Sequence, residues 1–190
     1  MSDLLRYAAD LHDAKRRPAP PVEKWNPPYS GEIDIVIRRD GVWEHEGAPI
    51  ARAALVRLFS TVLRKEGARH FLVTPVEKLA IKVVDAPFVA VLMQCEGEGD
   101  ERRISFKTSL GDEVEAGRAH PISYRQKDGE WTPYIEVRAG LEALIARSVF
   151  YELVAVGETR EIDGEPWFGV TSAGVFFPFR PAREIFAATV

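Results

Sequence analysis

Two stretches of this chain follow the same script, and an internal duplication restricts a fold more than any single motif does. Asp40-Gly41-Val42-Trp43 is matched by Asp128-Gly129-Glu130-Trp131. Arg52-Ala53-Ala54-Leu55-Val56-Arg57-Leu58 is matched by Arg138-Ala139-Gly140-Leu141-Glu142-Ala143-Leu144. Each copy reads as strand, Asp-Gly turn, strand with a Trp two residues after the Gly, short link, Arg, helix and further strands. Asp-Gly suits a hairpin because Gly accepts the positive φ the turn needs. A hairpin with one helix buries too little surface to stand alone. The pattern therefore predicts an α+β fold of two related antiparallel-sheet-plus-helix units packed together. Two such units would enclose a cleft, a favoured place for a ligand.

The remaining segments fit that plan. Leu4, Tyr7, Ala8 and Leu11 make the apolar stripe of a helix over 2–16. Five prolines between Pro18 and Pro28 then impose an extended arm carrying Trp25, with Tyr29 beside it. Such an arm docks its aromatics on its own domain or offers a proline-rich peptide to a partner. Ile33, Ile35 and Ile37 alternate with Asp34 and Arg38 as in a half-buried strand. Leu55, Leu58, Phe59 and Val62 predict a helix over 50–65, with Gly67 as its cap. Strands are expected over 70–74, 79–84, 88–95 and 102–108. In the second half they are expected over 122–125 and 131–137, then a helix over 138–150 with Leu141, Leu144 and Ile145 inward. Strands near 151–156, 166–171 and 175–179 complete the chain. The organisation expected is an N-terminal helix and arm (1–30), a first repeat (31–109) and a second repeat (110–190).

Composition sets limits on function. The net charge is −4, and no long basic tract faces a phosphate backbone, so no nucleic-acid partner is expected. No window approaches the roughly 18 apolar residues of a membrane span. One cysteine, Cys95, excludes an intramolecular disulfide and suits a reducing, cytoplasmic setting. Its place at the end of an apolar strand predicts a buried small hydrophobe. His12, His45, His70 and His120 form no metal-ligand spacing with one another or with Cys95, so neither metal nor cofactor is expected. Neither a Gly-x-Ser-x-Gly elbow nor a phosphate loop ending in Gly-Lys-Ser/Thr occurs, and no catalytic residue is assigned.

The polar residues that could hold an anion fall at two loops and two helix starts. Thr74 and Lys78 bracket a tight connection with Glu77; the bland alternative is a surface turn with an internal ion pair. Lys107, Thr108 and Ser109 precede Gly111 and Asp112, where hydroxyls and backbone N–H groups can converge. Arg52 and Arg138 open the two expected helices. A cation there opposes the helix dipole, so it calls for a carboxylate such as Asp34 or Glu136, or for an anion. The resulting nominees are Arg52, Thr74, Lys78, Lys107, Thr108, Ser109 and Arg138.

Trp25-Asn26-Pro27-Pro28-Tyr29, Asp40 to Trp43, Phe71 to Lys78, and Thr171-Ser172-Ala173-Gly174-Val175-Phe176-Phe177-Pro178 together resemble the bacterial domain of unknown function 1285 family. The resemblance covers most of the chain beyond the first helix. It implies a duplicated α+β core whose second half is pleckstrin-homology-like, a ligand site between the halves for a nucleotide-like molecule, and a signalling role. The function expected is a non-enzymatic sensor binding a small anionic ligand. The alternatives are a protein–protein adaptor, or an enzyme using Glu77, His70 or Asp112 as acid and base.

Overall fold

Alternating isoleucines produce the first strand, β1 (Tyr29–Ile37), in a computed structural model that describes residues 20–127 and 130–186. Ile35 and Ile37 are buried while Asp34 faces outward. At the following turn Gly41 takes φ +84°, and the Val42 N–H donates to Asp40 Oδ1 at 3.0 Å. β2 (Trp43–His45) and β3 (Ala48–Pro49) complete a meander. Helix α1 (Ala53–Thr61) leads to a second meander of β4 (Leu63–Glu66), β5 (Arg69–Val73) and β6 (Lys78–Val83). The helix is shorter than the 50–65 predicted, because buried Leu63 already belongs to β4 and faces Leu72 across the ladder. Val56, Phe59 and Ser60 are its buried residues, with Leu55 and Leu58 half-buried. Trp43, 2% exposed, lies 6.4 Å from Phe59, ring to ring.

The two meanders join through a parallel pair, β1 with β6, giving the strand order β3-β2-β1-β6-β5-β4. The second unit repeats this plan. β7 (Phe88–Glu96), β8 (Arg103–Thr108) and β9 (Glu113–Glu115) form one meander. β10 (Ile122–Lys127), β11 (Glu130–Arg138) and β12 (Leu141–Ile145) form the other. The order is β10-β11-β12-β7-β8-β9, with β12 parallel to β7. Counted from its own first strand, this is the order of the first sheet. Helix α2 (Arg147–Ala155) follows, then a three-stranded sheet of β13 (Glu158–Ile162), β14 (Glu165–Ser172) and β15 (Val175–Pro181), and short helix α3 (Ala182–Phe186).

The duplication is thus real as topology, but its register differs from the sequence markers. The hairpin β1–β2, with Asp40-Gly41, corresponds in strand order to β7–β8, while β10 and β11, which flank Asp128-Gly129 in the sequence, correspond to β4 and β5. Trp43 on β2 is buried; Trp131 on β11 is 38% exposed and has no equivalent role. The helix predicted over 138–150 is a correction too. Ala139 (φ +46°) and Gly140 (φ +74°) make a tight hairpin turn, and Leu141, Ala143 and Ile145 are the buried positions of strand β12. Leu144 is only half-buried. The helix starts at Arg147 and absorbs the strand expected near 151–156.

By their internal contacts residues 1–87 and 88–190 form separate units. β7 and β8, expected in the first repeat, are hydrogen-bonded into the second sheet. Cys95 is exposed rather than buried, because β12 pairs with β7 only through Ala90 and the rest of β7 runs past it. The helix predicted over 2–16 lies outside the described residues.

Within the second unit one buried hydroxyl ties the small sheet to the large one. Ser172 Oγ donates to the Ala116 carbonyl at 2.8 Å and accepts from the Ile104 N–H at 2.9 Å, with Ser172 fully buried. Ser172→Ala leaves a buried donor and a buried acceptor without this partner, which costs about 1–3 kcal/mol. A lowered denaturant midpoint with an unchanged slope checks this.

Candidate functional site

The first unit holds Arg52, Thr74 and Lys78. Arg52 is exposed and precedes α1 without capping it through its side chain. Thr74 is buried and serves its own turn: its Oγ1 accepts from the Val76 and Glu77 N–H groups at 3.3 and 3.1 Å. Lys78 pairs with Glu66 across the sheet at 3.0 Å rather than within its loop, and its ammonium lies 5.1 Å from the Phe71 ring centre. That hydrogen bond is the main reason the Glu66 carboxyl sits below the usual range, with Arg64 adding to it against a burial penalty.

The second unit holds Lys107, Thr108, Ser109 and Arg138. Lys107 is exposed and pairs with Glu113 at 2.7 Å. Thr108, next along β8, points inward, and its Oγ1 donates to Asp112 Oδ2 at 3.1 Å. Arg138 reaches Asp112 Oδ1 at 2.6 Å and lies over the Phe88 ring at 4.9 Å. Arg138, Asp112 and Thr108 are therefore brought together, with Asp112 as the carboxylate in place of the expected Glu136. Glu136 instead accepts from the Gly140 N–H at the β11–β12 turn. Ser109 is exposed, and its N–H is used by the Val89 carbonyl. Three nominated cations, Lys78, Lys107 and Arg138, thus already have carboxylate partners.

A different constellation stands out in the second unit. Tyr124 and Trp131 are diagonal neighbours on β10 and β11, since Tyr124 faces Pro133 and Gln126 faces Trp131. Their rings stack at 5.4 Å and 15°. Phe150 of α2 stacks on Tyr124 at 5.6 Å, and Phe179 of β15 lies 5.3 Å from it. Phe168 meets Phe179 edge-on. Tyr124 is the hub, and burial raises its pKa despite the opposing charge of Arg180. Arg180 places its guanidinium 5.3 Å from the Trp131 ring centre and holds Glu184 at 3.2 Å. Its Nε is buried with no hydrogen-bond acceptor among the described residues.

This face joins a partly exposed indole, stacked on a tyrosine, to a partly exposed guanidinium. Chemically it can stack a planar ring and hold an anion. Trp131 by itself gives no such signal in the sequence, because its partners come from β10 and β15. The Phe176-Phe177-Pro178-Phe179-Arg180 run was the available signal. Other titratable groups have structural tasks. His120 donates through Nδ1 to the Glu136 carbonyl at 3.1 Å. Arg160 bridges Glu158 and Asp100, which raises its pKa, chiefly through the Asp100 hydrogen bond. No cluster of three His, Cys, Asp or Glu side chains suited to a metal occurs among the described residues. No helix there is long and apolar enough to cross a membrane.

The Tyr124 shift gives a pH prediction. An unfolded tyrosine ionises near pH 10, whereas the folded state keeps this proton to higher pH. Its contribution is complete below about pH 10 and is lost as pH rises further. Denaturant midpoints measured from pH 9 upward should fall, and Tyr124→Phe should flatten that fall.

Two family models match the chain. Residues 20–86 match the N-terminal domain of a domain of unknown function (DUF1285), and residues 87–179 match the C-terminal domain of the protein of unknown function (DUF1285). Among solved structures, a DUF1285 family protein from Silicibacter pomeroyi is 47% identical with a TM-score of 0.87, covering 96% of this chain and 97% of that one. A DUF1285 family protein from Shewanella baltica is 25% identical with a TM-score of 0.52, covering 64% of this chain and 91% of its own. None of the curated proteins compared matches.

Proposed function

The chain belongs to the DUF1285 family, and from that premise we propose that it is a non-catalytic binding protein taking a planar, anionic, nucleotide-like ligand on the Tyr124–Trp131–Arg180 face. The observation that carries this reading is the pairing of a 38%-exposed indole with the partly exposed guanidinium of Arg180, 5.3 Å from its ring centre. Stacking of one base on an aromatic side chain contributes about 1–3 kcal/mol, and a charge-assisted hydrogen bond about as much. Neither needs an acid–base pair. Occupancy of such a face is how a sensor reads a metabolite level in signalling. The same reading places the protein in the cytoplasm, in keeping with an exposed thiol that needs a reducing setting.

Of the earlier nominees, Arg52 keeps an exposed guanidinium, so it competes with Arg180 as the anion contact. Titration calorimetry with a panel of purine and pyrimidine nucleotides separates them. At least one nucleotide should bind, with inorganic phosphate binding far more weakly because it cannot stack. Trp131→Ala and Arg180→Ala should each weaken binding about tenfold or more, while Arg52→Ala leaves it unchanged. Loss on Arg52→Ala alone would move the site to the start of α1. Failure of every nucleotide to bind would sink the reading.

A further inference from the structure

Arg180 is followed closely by a carboxylate that reaches back to it. Pro181 ends β15, and the chain turns at once into α3, where Ala182 is buried. The next two side chains are charged and go to different partners. Arg183 reaches Glu165 of β14 at 3.0 Å. Glu184, four residues after Arg180, returns to it, and Arg180 Nη2 donates to Glu184 Oε2 at 3.2 Å. The same guanidinium lies 5.3 Å from the Trp131 ring centre. Its Nε is buried, so only the terminal nitrogens can meet a group from outside. One of those two already serves Glu184. A carboxylate therefore sits at the cation that a ligand's anion has to use.

The pair is open to water, with the two side chains 31% and 42% exposed. Exposed pairs of this kind hold weakly. A phosphate monoester carries close to two negative charges and three acceptor oxygens, so it binds a guanidinium more strongly than one carboxylate does. An uncharged ring makes no such exchange. We propose that Glu184 is a built-in competitor for the ligand's anion: it holds the Arg180 guanidinium and has to yield it before a phosphate can pair there. Displaced, the carboxylate remains tethered four residues away. It goes on competing at high effective concentration, and it repels the phosphate that replaced it. The face thereby gives up affinity and keeps weakly held anions off Arg180. Glu184 also lies in the first turn of α3, where a negative charge suits the helix dipole. Glutamine keeps the shape and removes the charge, so it is the variant to make. This inference rests on reading the Tyr124–Trp131–Arg180 face as a nucleotide site, and its test separates the two.

Titration calorimetry of the full chain with purine and pyrimidine nucleoside monophosphates, and with the matching nucleosides, supplies that test. Glu184→Gln should tighten the monophosphates about two- to fivefold, the value of an exposed ion pair, and leave the nucleosides unchanged. Glu161→Gln, at an exposed carboxylate on β13 of the same small sheet, should change neither. In an Arg180→Ala background Glu184→Gln should bring no gain, because the competition runs through that guanidinium. Circular dichroism and thermal melts establish that the variants fold; Glu184→Ala replaces Glu184→Gln if the latter does not. A monophosphate that binds the parent and Glu184→Gln alike overturns the inference and leaves the ligand reading standing. A gain that the nucleosides share, or that persists without Arg180, overturns it too. Binding of no monophosphate to parent or variant overturns both.

Discussion

Everything in either sheet depends on the parallel pairing of two innermost strands, β1 with β6 and β7 with β12. Parallel neighbours cannot be joined by a tight turn. The chain must therefore leave one meander at one edge of the sheet and enter the other meander at the opposite edge. In the first unit α1 makes that passage between β3 and β4. In the second, only residues 116–121 join β9 to β10. Six flat strands would hold those edges about 24 Å apart at normal strand spacing. The Gly117 N–H to His120 carbonyl bond folds the link back on itself. The sheet must curl to let so short a link reach. Curling then brings β10 beside β15 and assembles the ring cluster around Tyr124.

Electrostatics sort the surface by the same geometry. The sheet sets cations beside carboxylates on neighbouring strands: Lys107 directly opposite Glu113, Arg103 on the diagonal from Glu115, and Arg125 reaching across β11 to Glu142. Such exposed pairs contribute little stability each, but they neutralise cations that an anion could otherwise use. An arginine set against rings has a different value. Arg180 keeps its charge next to Trp131, and Arg64 directs its donors to main-chain carbonyls. Both also hold a carboxylate, Glu184 and Glu66, and differ from the exposed pairs in meeting a ring or main-chain carbonyls besides.

Much of the architecture was legible in the residues. Period-two alternation of Ile33, Ile35 and Ile37 located β1, and short apolar runs between turn signals located β5, β6, β7, β8, β11, β14 and β15. The Asp40-Gly41 turn was legible because its backbone demands Gly. Segment 141–145 was not, since Leu141, Leu144 and Ile145 fit a helical stripe as well as Leu141, Ala143 and Ile145 fit a strand. Positive φ at Ala139, a residue that gives no turn signal, decided between them. Cys95 looked like core because its neighbours are apolar. Whether the end of a strand is covered depends on where the adjacent strand stops, and that is not written in the strand itself.

The sequence alone determined that the chain is α+β and built twice over, and that it cannot form an internal disulfide. These follow from local properties, side-chain periodicity and a single cysteine, whereas the arm expected to be extended turns through a 3₁₀ segment at Val22–Lys24. Tertiary structure decided which halves correspond, which cations are neutralised, and which Trp is displayed. Markers such as Asp-Gly and Trp recur by turn chemistry and burial, so they can align without being equivalent, as Trp43 and Trp131 do. Partners 20 to 60 residues away set the state of a charge or ring, as Asp112 does for Arg138 and Arg180 for Trp131. A contact of that kind exists only once the sheets have curled, which is why it had to be seen rather than read.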